Sequence, residues 1–371
     1  GKIKDIDKEL LKEKNEELAK QGYRVIVIAI GKLVKKEDGY LYEESDIPKL
    51  NVLGLVGFMD PIREEAKKSI KECQSAGIKI VMITGDHPTT AFNVANKLGM
   101  TNDENEVIVG SRIDELLKQG YKKLDEEIKD KVVFSRVNPT EKYEIIESFK
   151  RQGEFIAVTG DGVNDAPALK SANIGISLGS GTDVAKETAN MIIVDDNFMS
   201  IVSGVEEGRN AYNNVRKVIY MLLSTGLAEV LFFILSIIFG YPMPLLAVQL
   251  LWLNLVTDGI QDSALAFEKK EPGIMKNKPR SPKESIFNKL LIQETMISGI
   301  FIGLLVFIVW VYLLEYRNID VVIARSYIVI LMVFIQNIHV FNCRSEIISV
   351  FKIPFKNNPL VVLSILIVLI L

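Results

Sequence analysis

The sequence predicts two structures in series: an α/β domain built on a parallel sheet, then a bundle of membrane-spanning α-helices. Three observations carry this reading. Charged residues crowd the part before about residue 217, and long apolar runs follow it. Within the charged part, short β-branched runs alternate with helical spacings, the pattern of parallel strands joined by right-handed crossovers. One of those runs, Phe155–Val158, leads into the glycine-rich acidic stretch TGDGVNDAPALKSANIGISLGSGTDVAKETA that begins at Thr159. Open α/β sheets bind ligands at such carboxyl edges.

The elements follow in order. Ile6–Lys20 has helical spacing, Arg24–Ile30 reads as a strand, and a polar turn lies around Glu37–Tyr40. Val52–Phe58 is a short apolar strand, followed by DPIREEAKKSIKECQSAG with small or apolar positions at helical intervals. Ile78–Ile83 is a buried-type strand ending at Thr84-Gly85-Asp86, and Pro88–Leu98 a helix. Val107–Val109, Val132–Ser135, Ile174–Ser177 and Met191–Val194 are further short strands; Glu141–Arg151 is a helix and Ala166–Ala172 a helical turn. Apolar spans occupy about 218–239, 245–267, 291–314 and 321–341, with a fifth beginning at 360. Each of the first four approaches the roughly 20 residues a helix needs to cross a bilayer. The tight turn GYPMP joins the first two as a hairpin, and the lysine-rich loop after the second lies in the cytoplasm by the positive-inside rule. The soluble part then lies on the same side.

A formal net charge of −3 gives no sign of nucleic-acid binding. Two distant cysteines, Cys73 and Cys343, and two histidines fit neither a disulfide framework nor a zinc site. The charged amino terminus is neither a signal nor a transit peptide. The carboxyl-terminal run LVVLSILIVLIL is too short to span, so a truncated chain is expected.

Taken singly, most of the candidate site residues have bland readings. Thr84 can cap the next helix, Asp60 can cap the helix after it, and Lys142 can be a solvated surface charge. Asp161, Asn164 and Asp165 are more specific: hard oxygen donors with little bulk between them suit Mg2+. The order of the pieces is stronger still. Thr84 after one strand, Lys142 after another and GDGVND after a third resemble the haloacid-dehalogenase type of phosphoryl-transfer domain. GFMDPIREEAKKSI, IVMITGDHPTTAFNVANKLGM, VVFSRVNPTEKYEII and, in the apolar part, VQLLWLNLVTDG resemble the P-type cation ATPases, with type II calcium pumps the best match.

That resemblance implies an α/β haloacid-dehalogenase-like phosphorylation domain with an incomplete sheet, plus a transmembrane bundle. Residues 1–50 would be the end of a nucleotide-binding domain, 51–217 the phosphorylation domain, and 218–371 the membrane helices. It implies ATP and Mg2+ as cofactors, with Thr84, Gly85, Asp86, Lys142, Asn164 and Asp165 around a phosphorylated aspartate and Asp161 on the Mg2+. Arg24, Asp60, Arg63 and Arg136 would lie toward the nucleotide. The expected partners are the transported cation, membrane lipid and a missing amino-terminal part of the pump; the expected location is the plasma membrane with the soluble domain cytoplasmic. The family's DKTGT aspartate is absent from these 371 residues. The chain alone is therefore expected not to form a phosphoenzyme. Another type II pump for Na+/K+ or H+, a membrane-tethered phosphatase and a non-catalytic split or partner fragment stay open. The phosphatase also needs the missing aspartate. A DKTGT-encoding segment upstream, in the same frame or a separate one, would distinguish an incomplete sequence from a split protein.

Intramembrane charges indicate function by default. Asn254, Thr257 and Asp258 are spaced three and four residues apart, on one helical face, and Glu229 lies in the preceding span. All offer oxygens suited to Ca2+; the alternative is an interhelical hydrogen-bond cluster. The chain has Gly226 and Gln336 where the calcium pumps place an asparagine and a glutamate. Both changes fall on one of the family's two cation sites, so one transported ion is expected. Asp262 can hold a proton or a second cation, or face water near its helix end.

Overall fold

A computed structural model describes residues 7–20, 23–32, 43–58 and 61–371, with backbone alone at 19, 20, 24 and 45. The expected turn at Glu37–Tyr40 and the candidate Asp60 lie outside the described residues. The chain divides into two compact units, one of residues 1–203 with 275–279, the other of 204–274 with 280–371. The division falls earlier than the expected boundary at 217, because the first long helix begins at Phe198.

In the first unit, α1 (Lys8–Lys20) precedes β1 (Arg24–Ile30) and β2 (Asn51–Phe58), which pair antiparallel from Arg24↔Phe58 to Ile30↔Asn51. This ribbon crosses the expected domain boundary at residue 50. It also departs from the parallel pattern: between its strands the described residues hold one single-turn 3-10 helix, Glu44–Asp46, and no crossover α-helix.

The remaining strands are all parallel but form two sheets rather than one. The first has the order β3 (Met82–Ile83), β5 (Val133–Ser135), β4 (Val107–Val109); the second runs β6 (Ala157–Gly160), β7 (Ile174–Leu178), β8 (Met191–Ile193). Of the expected strand Ile78–Ile83 only the last two residues pair. β6 is set two residues later than expected and takes in Thr159 and Gly160. Helices α2 (Glu64–Ser75), α3 (Pro88–Lys97), α6 (Pro139–Arg151) and α7 (Ala166–Ser171) fall where the spacing placed them. Three were not expected: α4 (Gly110–Gln119), α5 (Tyr121–Ile128) and α8 (Asp183–Thr188). Ile113 and Leu116 of α4 and Leu124 and Ile128 of α5 close over Phe134 and Ile145. Each such buried side chain contributes about 1.5–3 kcal/mol.

In the second unit, α9 (Phe198–Ile238), α12 (Lys289–Val311, prolonged by a π-turn at Tyr312–Tyr316) and α13 (Val321–Asn342) are long and apolar enough to cross a membrane. A shorter apolar helix, α14, covers Pro359–Ile370. The expected second span is not one α-helix. It consists of α10 (Ala247–Trp252), a π-helical segment (Leu253–Asp258) and α11 (Gly259–Ala266). Trp310, Phe232 and Ile328 lie in the apolar core of this unit, with Phe232 and Trp310 edge to face. Buried ion pairs link its segments: Arg344 to Glu268 at 2.8 Å, Arg216 to Glu346 at 2.6 Å and Lys217 to Glu271 at 3.4 Å.

Candidate functional sites

The first candidate site lies at the carboxyl edges of β3, β5 and β6. Thr84 follows β3, and its Oγ1 accepts the Asp86 N–H at 3.1 Å. It does not cap α3; that position belongs to His87, whose Nδ1 accepts from the Thr89 N–H. The Thr84–Asp86 turn is tied to the end of β5, because the Arg136 N–H donates to the Asp86 carbonyl and the Val137 N–H to that of Thr84. Arg136 adopts φ 48°, a left-handed conformation that costs a non-glycine residue energy and turns the chain sharply after the strand.

Lys142 sits in the first turn of α6, held by a capping box in which Asn138 and Glu141 bond each other's backbone N–H groups. Its Nζ is 2.5 Å from Asp165 Oδ1, with both side chains largely buried. The other oxygen, Oδ2, accepts the N–H groups of Asp161 and Gly162. Burial pushes the Asp165 carboxyl up, but Lys142 and the two backbone donors outweigh it and hold the group below its ordinary value. Gly160 is needed for this closure, since a Cβ there would stand 2.5 Å from Asp165 Cβ.

The two carboxylates of the turn are therefore differently employed. Asp165 organises the turn and anchors the lysine. Asp161 is exposed, and among the described residues no hydrogen bond occupies its carboxylate. It is the one free to take a metal. Asn164 is likewise exposed. The structure thus brings Lys142, Asp161, Asn164 and Asp165 together, and Thr84, Gly85 and Asp86 with Arg136. Arg63 goes elsewhere: its guanidinium donates to the Asp196 carbonyl beyond β8. Arg24 opens β1, and its side chain lies outside the description.

The second candidate site lies inside the membrane unit. Glu229 of α9 accepts from Asn254 Nδ2 at 3.3 Å, and Asp258 accepts from Thr225 Oγ1 at 3.1 Å. Thr257, Asp258 and Gln336 are at most 2% exposed. Glu229 Oε1, Thr257 Oγ1, Asp258 Oδ1 and Gln336 Oε1 are buried with no hydrogen-bond partner. Native interiors rarely leave such atoms unpaired. The π-segment adds to the pattern, because its Gly259 N–H reaches five residues back to Asn254 O; π-turns inside α-helices recur at functional sites. Among the described residues no three His, Cys, Asp or Glu side chains gather as a metal-binding group. The donor set is instead two carboxylates with amides and a hydroxyl.

Reading the sequence missed Thr225, which stands four residues before Glu229, and the bonded pair Gln261 and Asn337. Helical spacing from Glu229 would have found the first. The pair joins two helices distant in sequence, and nothing local marks it.

The family model for haloacid dehalogenase-like hydrolases matches residues 3–173, and that for the carboxyl terminus of cation-transporting ATPases matches 242–371. A calcium-transporting ATPase of Bacillus subtilis (strain 168) is 40% identical over 341 residues, covering 92% of this chain and 38% of the relative. Calcium-transporting ATPase 1 of Lactococcus lactis subsp. lactis (strain IL1403) is 37% identical over 98% of this chain and 41% of its own length. The cation-transporting ATPase pma1 of Synechocystis sp. (strain ATCC 27184 / PCC 6803 / Kazusa) is 39% identical over 83% of the chain and 34% of its own length. The chain spans less than half the length of these relatives.

Proposed function

This chain belongs to the P-type cation-transporting ATPases, and on that premise we propose that it is the carboxyl-terminal part of a pump that uses ATP to export Ca2+ from the cytoplasm. The observation that carries the ion assignment is the group of buried, unbonded oxygens on Glu229, Thr257, Asp258 and Gln336. Ca2+ takes six to eight oxygen ligands. Two carboxylates with neutral oxygens match its charge and its preference for hard donors.

At the sheet edges, the residues present fit a phosphoryl group with Mg2+. Asp161 would hold the metal, which when bound neutralises phosphoryl oxygens. Lys142, oriented by Asp165, supplies a fixed positive charge, and the Thr84 hydroxyl and the N–H groups of its turn supply donors. Such preorganised groups stabilise charge without reorganising at the moment of reaction. The nucleophile belongs to the part of the pump outside this chain. β3 and β6 are edge strands of their sheets, each followed by one of these turns; a strand entering between them would place its carboxyl end beside both. The fragment is then inactive alone, and the cycle of aspartyl phosphorylation needs the amino-terminal part. The soluble unit lies on the cytoplasmic face of the plasma membrane, the side of the lysine-rich loop after α11.

The test is 45Ca2+ binding and Ca2+-dependent phosphoenzyme formation in the full-length pump. Asp258→Asn should weaken 45Ca2+ binding by at least about tenfold, the equivalent of 1.4 kcal/mol. Undiminished binding by that variant would remove the ion assignment.

A further inference from the structure

The turn that carries Asp161 fixes only one side of its peptide. Glycines flank the residue and impose little steric restriction of their own. The Asp161 N–H donates to Asp165 Oδ2 at 3.2 Å, within the turn. The Asp161 carbonyl is held from a different loop, residues 179–182 after β7, where the Thr182 N–H donates to it at 2.8 Å. Gly181 is buried at this crossing: a Cβ there would stand 3.1 Å from the Asp161 carbonyl oxygen and 3.0 Å from that of Leu178.

That loop is itself held. The Gly179 N–H donates to the Ile193 carbonyl at 2.7 Å, and the Ser180 N–H to Asp196 Oδ1 at 3.1 Å. Asp196 follows β8 with φ 52°, a left-handed conformation that aspartate tolerates better than most residues and that persists only where its surroundings fix it. Arg63 fixes it from the far side, donating from Nη1 to the Asp196 carbonyl at 3.0 Å. The Asp196 carboxyl is held below its ordinary value, first by Ser180 and also by the charge of Arg63. A turn that merely ended β8 would need neither contact. Asp196 spends its acceptor on the loop beside Asp161, and Arg63 reaches it from 133 positions away in the chain. Contacts thus run from Arg63 through Asp196 and the 179–182 loop to the Asp161 carbonyl.

We propose that Arg63 and Asp196 are positioning residues for Mg2+: they brace the 179–182 loop, which sets the Asp161 peptide and with it the carboxylate that takes the metal. This rests on the reading of Asp161 as the metal-holding carboxylate. Neither residue touches the metal. Removing a group that orients a metal's ligand weakens binding by about 10–100-fold. The brace acts one loop further out, so the lower end, about tenfold, is expected.

The experiment uses the full-length pump with Ca2+ saturating its membrane oxygens, beryllium fluoride as the phosphoryl analogue and Mn2+ in place of Mg2+. Free Mn2+ is counted by its EPR signal, so the readout is affinity and not turnover. Asp196→Gly keeps the left-handed turn without steric cost and removes the acceptor for Ser180. Arg63→Met removes the donor to the Asp196 carbonyl. Each should weaken Mn2+ binding about tenfold while leaving 45Ca2+ binding as in the wild type, which checks the fold. Asp196→Asn keeps an oxygen for the Ser180 N–H and tolerates the same φ, so it should bind Mn2+ as the wild type does. Wild-type Mn2+ affinity in Asp196→Gly or Arg63→Met, equal losses in Asp196→Asn and Asp196→Gly, or 45Ca2+ binding lost in step with Mn2+ would overturn the proposal. Asp161→Asn tests the premise separately. If Mn2+ affinity is indifferent to that change, the metal reading itself has failed; if Asp161→Asn abolishes binding while the other variants bind normally, only the brace has.

Discussion

Breaking the contact between Lys142 and Asp165 separates the two carboxylates of the acidic turn by the work they do. The pair is 2.5 Å apart, with side chains 19% and 15% exposed. It therefore lies between a surface pair, worth about 0–1 kcal/mol, and a fully buried one, whose disruption costs about 3–5 kcal/mol. A hydrogen bond to a charged group contributes about 1.5–3 kcal/mol, and roughly 2 kcal/mol is the expected coupling. Asp165→Asn can keep an oxygen toward the Asp161 and Gly162 N–H groups while losing the charge that holds Lys142. Lys142→Met leaves the carboxylate half-buried. Amide hydrogen exchange of the chain, read on peptides covering 139–151 and 157–178, reports local opening of this region. Each single variant should speed exchange there about 30-fold, the equivalent of 2 kcal/mol, and the double variant should add little more. The pH dependence has a definite sign. The Asp165 carboxyl is held below its ordinary value, so its contribution is complete above the unfolded carboxylate pKa of about 3.9. It is lost only as pH falls through the lower folded value. Additive single-variant effects, or coupling already lost between about pH 5 and 7, would refute this assignment.

Other substitutions probe the rest of the chain. At Gly226 a Cβ would meet nothing within 4 Å; Gly226→Ala should therefore stabilise α9 by up to about 1 kcal/mol, seen as a raised thermal midpoint. Arg344→Met strands Glu268, which is 3% exposed in its side chain and retains only Asn358 Nδ2 as a described side-chain donor; a loss of about 3–5 kcal/mol is expected, measured by denaturant unfolding in detergent. Asn138→Ala removes the cap of α6 and should cost about 0.5–2 kcal/mol, read as faster amide exchange in residues 139–142.

Much of the fold could be read from periodicity, and the reasons for the misses are physical. The helices after β3 and β5 begin at prolines, and their starts are clear. α4 and α5 meet at Gly120, and that break disguised two short amphipathic helices as one irregular stretch. The antiparallel ribbon of β1 and β2 was missed because strand direction is set by what lies between strands, and the strands themselves look alike. In the acidic turn the residue types were legible but their division of labour was not. Which carboxylate turns inward depends on Gly160 leaving room for Asp165, a close approach that arises only in the folded chain. The membrane donors showed by spacing along one helix; their partners across the bundle, Thr225 and Asn337, did not.

The π-segment at Leu253–Asp258 has a consequence for movement. It holds a surplus residue that an α-helix of the same length would not accommodate. Such a surplus can pass along the helix without lengthening the chain, and each residue it passes turns by about 100° and shifts by about 1.5 Å relative to its neighbours. Asp258 ends the segment, and Gln261 and Asp262 follow within the next turn. A step of one residue would turn Asp258 away from Thr225 of α9 and Gln261 away from Asn337 of α13 while leaving the helix ends in place. The span thus contains a place where register can change, located where its oxygens are concentrated.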